Sequence, residues 1–142
     1  MAPEVDKWRV EREVAIHSSV RYDALPVPLR LSGYVRLFDY FVSHSQLVYR
    51  GTDEERESPF FEDVWFHAVH YLDGPIHCEH PVIRQADSGE TDYISRRCGE
   101  TRGTLRDYVI RDAEDRTIYI RAGFFLVARH SLPGHVSLIS RW

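Results

Sequence analysis

The chain has 142 residues, of which 43% are hydrophobic and 13% aromatic, with a formal net charge of −4. That composition excludes disorder over the bulk of it and offers no general attraction to nucleic acid or acidic membranes. One domain over residues 1–142 is the simplest organisation, burying roughly 68–70% of its unfolded-chain surface.

The N-terminal stretch MAPEVDKWRVERE is charged and lacks the apolar core of a signal peptide. No run approaches the ~18 apolar residues of a membrane span. Cys78 and Cys98 are too few for a disulfide framework. A cytoplasmic protein with free thiols is expected.

In WRVEREVAIHSSVRY, Val10, Val14, Ile16 and Val20 share one parity, and Val10/Val14 also have helical spacing. The β-branched content favours a strand. DALPVPLRLSG holds two prolines and reads as an extended connection. YVRLFDYFVSHSQLVYRG gives one or two strands, although RLFDYF has the composition of a helical turn as well. TDEERESPFFED, charged and carrying Pro59, reads as a solvated and mobile loop.

From residue 63 the β pattern strengthens. DVWFHAVHYL and PIHCEHPVIRQ flank an Asp73-Gly74 turn, and ADSGETDYISRRCGETRG reads as loops around one short strand. TLRDYVIRDAEDRTIYIRAGFFLVARH supplies two strands about a polar turn. HVSLISRW closes the chain as a strand with Val136, Leu138 and Trp142 on one parity. Many short strands with regular turns predict a mainly β fold, an antiparallel sandwich or barrel with little helix. Val64, Phe66, Val109, Ile118, Ile120, Phe124 and Leu126 are the expected core.

A four-residue loop between Arg111 and Arg116 would place Leu105, Val109, Ile118, Ile120 and Ala122 on the buried face. It would oppose Tyr108 to Tyr119 and Arg106 to Arg121 on the other. Directly opposed like charges are unfavourable unless acids or a bound anion relieve them. Tyr and Arg are enriched at interface hot spots, so Tyr108, Tyr119, Arg106 and Arg121 form a candidate surface for a protein partner. Nucleic acid fits less well, because the chain is acidic overall.

HYLDGPIHCEH, residues 70–80, concentrates histidines, and His67 lies just before it. With Asp73-Gly74 at the centre of a two-residue turn, His70 faces His77, and Glu79 joins them on one face. Two histidines and a carboxylate suit iron or zinc. The order His77-x-Glu79, His130, Arg141 resembles the H-x-D/E…H…R order of oxoacid-dependent iron oxygenases. Pro133-Gly134-His135 resembles a feature of small cupin barrels, whose glycine and histidine spacing is otherwise not met. Against the ligand set, Pro75 cannot donate the hydrogen bond that the tight turn needs.

G-x-S-x-G is absent, and GETRGT lacks the spacing and Lys of a P-loop. Seventeen Arg beside one Lys, with no Asn, point to a GC-rich genome, hence to bacteria, rather than to guanidinium chemistry. The leading expectation is a non-catalytic protein-interaction module, an accessory, immunity or antitoxin-like subunit with no cofactor. The alternative is a small cupin-like metalloenzyme binding iron or zinc through His70, His77, Glu79 and His130.

Overall fold

The computed structural model describes residues 6–31, 33–52 and 60–139. Most of the expected loop at 52–63, together with Arg141 and Trp142, lies outside these residues. Among the described residues, eleven strands form two antiparallel sheets, which stack as a sandwich and do not close into a barrel. The first sheet contains β1 (Val20–Tyr22), β3 (Tyr34–Phe41), β4 (Gln46–Thr52), β5 (Phe61–His67), β7 (His77–Glu79) and β11 (Phe124–His130), in the order β1-β11-β5-β4-β3-β7. The second contains β2 (Leu29–Arg30), β6 (Tyr71–Asp73), β8 (Val82–Gln85), β9 (Arg106–Arg111) and β10 (Thr117–Ala122), in the order β2-β8-β9-β10-β6. Two helices, α1 (Arg9–His17) and α2 (Ser88–Cys98), complete the described chain.

Alternation along the strands builds the inter-sheet core. Val35, Leu47, Tyr49, Val64, Phe66 and Phe125 from the first sheet meet Ile83, Tyr108, Ile110, Ile118 and Ile120 from the second. Phe66 and Phe125 have ring centroids 5.1 Å apart, and Tyr108 meets Phe125 edge-on at 5.3 Å. Ile120→Ala should cost about 2–5 kcal/mol, measured by urea denaturation, because its side chain is enclosed on all sides.

A second core covers the outer face of the first sheet. Val48, Trp65 and Ala128 pack there against Ala15 of α1 and against Leu132, Val136, Leu138 and Ile139. Consequently β5 buries both faces, Val64 and Phe66 inward, Asp63 and Trp65 outward.

Four expectations are corrected. Residues 9–17 are helical, not a strand, because the sheet buries Arg12 and Ala15, a helical pair, rather than the valines. Arg12 donates to the Ser137 carbonyl at 2.8 Å and pairs with Asp6, while Val10 and Val14 face out. The expected loops at 86–103 contain α2, started by a reciprocal cap. The Asp87 carboxylate accepts the Glu90 N–H at 2.8 Å, and the Glu90 carboxylate accepts the Asp87 N–H at 3.0 Å. Residues 135–139 are not a strand, although Val136 and Leu138 are buried as their apolar character requires.

The fourth correction is register. The β9–β10 connection holds five residues, so Arg111 pairs with Thr117 and Arg121 with Asp107. Asp115 sits in the left-handed region (φ 61°), and the Asp112 carboxylate accepts the N–H groups of Glu114 and Arg116. One extra residue turns β9 over relative to expectation, putting Tyr108 inside and Val109 on the outer face under α2. Across Gly123 the chain changes sheets. Phe125 is therefore the deeply buried residue, and Phe124 and Leu126 are only half-buried.

Candidate functional site

The histidine-rich stretch is not a hairpin. β6 pairs with β10 in one sheet and β7 with β3 in the other, so residues 74–76 cross between sheets. Gly74 (φ 150°) makes the crossing possible, since a Cβ there would lie 2.6 Å from the Ile118 Cα. His70 is exposed and its backbone N–H donates to the Arg121 carbonyl at 2.8 Å. His77 and Glu79 lie on β7, at one edge of the first sheet. His130 lies on β11, with β5, β4 and β3 between, roughly 19 Å away at the usual ~4.8 Å strand spacing.

The four proposed ligands are thus not brought together. Among the described residues no three of His, Cys, Asp and Glu are grouped as a metal would require. Glu79 instead accepts the Tyr34 hydroxyl at 2.5 Å, and His80 Nδ1 accepts the Gly33 N–H at 3.1 Å.

His130 belongs to a buried ion network. Its Nδ1 accepts the Leu132 N–H at 3.1 Å, so Nε2 carries the proton and donates to Asp63 at 2.7 Å. Both carboxylate oxygens of Asp63 also receive Arg50, at 2.8 Å each. The Arg50 guanidinium lies 3.8 Å from the Phe38 ring centroid and donates to the carbonyls of Gly134 and Val136. Every polar atom of the imidazole is committed, so the network serves as a tie between the sheet and residues 134–136, not as a general base.

The expected Tyr/Arg surface is also divided. Tyr108 is wholly buried, with its hydroxyl donating to the Asp23 carbonyl at 2.6 Å. Arg121 is 2% exposed and bonds Asp107 through Nε at 2.7 Å and Ser95 of α2 at 2.9 Å. Arg106 is exposed, and half-buried Tyr119 lies 4.5 Å from the Tyr93 ring. The Asp107 directly opposite Arg121 supplies the acidic relief that the like-charge argument called for. α2 covers the face expected to be open.

His67 stacks on Phe124 at 4.6 Å and 5° and lies 4.3 Å from the Trp65 ring, with Arg21 over Phe124. Its Nε2 is buried and has no hydrogen-bond partner among the described residues. Burial first, then Arg21, pushes the imidazole from 6.5 down to about 4. The unfolded chain therefore binds a proton that the folded chain refuses. This stability is fully present above pH 6.5 and is lost as pH falls towards about 4. His67→Phe should flatten that part of the pH dependence, read as the urea midpoint across the same window.

Two of the clefts among the described residues lie beside the first sheet. One, of about 370 Å³, runs between α1 and residues 131–133 and is lined by Trp8, Val10, Val14, Phe60, Leu132 and Pro133, with Glu11 and Arg129 at its rim. Val10, Val14 and Phe60 are 68%, 60% and 54% exposed. The other, of about 470 Å³, is lined by Tyr34, Arg36, Leu37, Thr52, Ile76 and His77. Sequence reasoning missed both. The valine pair at helical spacing was the available signal for the first, and His77 alone pointed near the second.

Among the described residues no helix is long and apolar enough to cross a membrane. Comparison with protein-family models, with curated proteins and with solved structures finds no match.

Proposed function

We propose that this chain is a non-catalytic protein-interaction module of the bacterial cytoplasm, in the manner of an accessory, immunity or antitoxin-like subunit. Its partner inserts an uncharged apolar anchor into the cleft beside α1. The observation that carries this reading is the exposure of Val10, Val14 and Phe60 around one concave apolar surface. Contiguous exposed apolar surface with a polar rim marks interaction sites. Of the two charges at the rim, Arg129 is answered within the chain by Glu62 at 2.8 Å. With walls of valine, phenylalanine, leucine and proline, the cleft suits an apolar side chain better than a charged one.

A photoreactive residue at position 14, used in the native cell, identifies the neighbour, which is then purified. Binding of that protein should weaken by at least about tenfold in Val10→Glu/Val14→Glu, or about 1.4 kcal/mol, at unchanged thermal midpoint. Unchanged binding by the double variant, or cross-links only to a second copy of the chain, would overturn the reading.

A further inference from the structure

We propose that the cleft at the β3–β7 edge binds a small organic anion, a carboxylate carried on a short apolar body. The site is independent of the α1 cleft. Its basis is a cation in the sheet that no described residue answers with an ion pair. On β3, Arg36 is directly paired with a like charge, Arg50 of β4, and His77 of β7 lies on its other side. Cross-strand like charges are unfavourable unless something answers them. Asp63 answers Arg50, but Arg36 is exposed and makes no ion pair among the described residues.

The neighbouring groups complete a receptor. Arg116 can only donate, so His77 Nε2 accepts from it at 3.1 Å, which leaves the ring proton on Nδ1 as a donor. Thr52 adds a hydroxyl, while Leu37 and the 67%-exposed Ile76 supply apolar wall. Among the described residues the nearby acids are engaged: Glu79 holds Tyr34 and lies 4.0 Å from Arg116, and Asp112 bonds Arg116 at 2.7 Å. A guanidinium with no ion pair among the described residues, beside an apolar wall in a cleft of about 470 Å³, matches a carboxylate with a short hydrocarbon tail.

Hexanoate is the probe, with hexanol and inorganic phosphate as controls, followed through backbone amide shifts in isotope-labelled protein. Hexanoate should shift Arg36, Leu37, Ile76 and His77 with a dissociation constant on the order of 1 mM. Arg36→Gln and Ile76→Glu, both at exposed positions, should each weaken it by about fivefold or more at unchanged thermal midpoint. The proposal fails if hexanoate leaves these amides unmoved, if Arg36→Gln binds as before, or if hexanol or phosphate binds equally well.

Discussion

Asp63→Ala should lower stability by about 3–5 kcal/mol, measured by urea denaturation near neutral pH, since it leaves a buried charge without its partner. Asp63 is fully enclosed and neutralises an Arg50 that is itself only 3% exposed. After the change, the guanidinium keeps, among the described residues, the Gly134 and Val136 carbonyls and the faces of Phe38 and Phe61. Those carry partial charge at most and cannot replace hydration. His130 Nε2 loses its acceptor in the same step. The damage reaches the surface, because Arg50 holds residues 134–136 on the sheet, and these follow directly on one wall of the α1 cleft. A variant that replaces Arg50, Asp63 and His130 together by apolar residues should be far less damaged than Asp63→Ala. Paired charges removed together leave no uncompensated ion.

Arg121→Ser and Arg106→Ser should separate by several kcal/mol, although the two arginines lie on adjacent strands and were expected on one exposed face. For Arg121→Ser the loss should be about 3–5 kcal/mol, because Asp107 would stay buried beside a missing guanidinium. Among the described residues, a distant Thr101 hydroxyl at 3.5 Å would remain to it. Ser95 and the Gly99 carbonyl, both in or just beyond α2, would also lose a donor, so the helix should loosen from the sheet. Arg106→Ser should change stability by no more than about 0.5 kcal/mol, as exposed positions generally do. Urea midpoints of the two single variants decide the matter. Equal effects would contradict the register in which Arg121 pairs with Asp107.

What was legible in the sequence was short-range. Alternation in DVWFH and in TIYIRA identified Val64, Phe66, Ile118 and Ile120 as core, and the turn residues marked most strand ends. α2 was legible too, through Asp87 and Glu90 at capping-box spacing, but Gly89 and the surrounding charges masked it as loop. Two features lay beyond periodicity. Periodicity cannot count the residues of the Asp112–Arg116 turn, and an error of one there exchanged the faces of β9. Nor can it assign consecutive strands to different sheets, so residues 70–80 looked like a hairpin that would gather His70, His77 and Glu79. The crossing at Gly74 sends the two arms to separate partners. The α1 cleft stayed hidden for a related reason: the valines were read as the buried stripe, and they form the exposed one.

The strand order also has a consequence for synthesis on the ribosome. β5 lies between β4 and β11, and among the described strands β1 pairs with β11 alone, Val20 opposite Val127. Until residues 124–130 have emerged, β5 is an open edge carrying Val64, Trp65 and Phe66, and β1 has no sheet to join. Such long-range pairing is slow to form and exposes unpaired strands in the meantime. Glu62 and Asp63 stand immediately before that apolar run, where acidic residues discourage one nascent chain from pairing with the next. The carboxylate that ends up neutralising Arg50 inside the finished sandwich therefore guards the same strand while the sandwich is still half made.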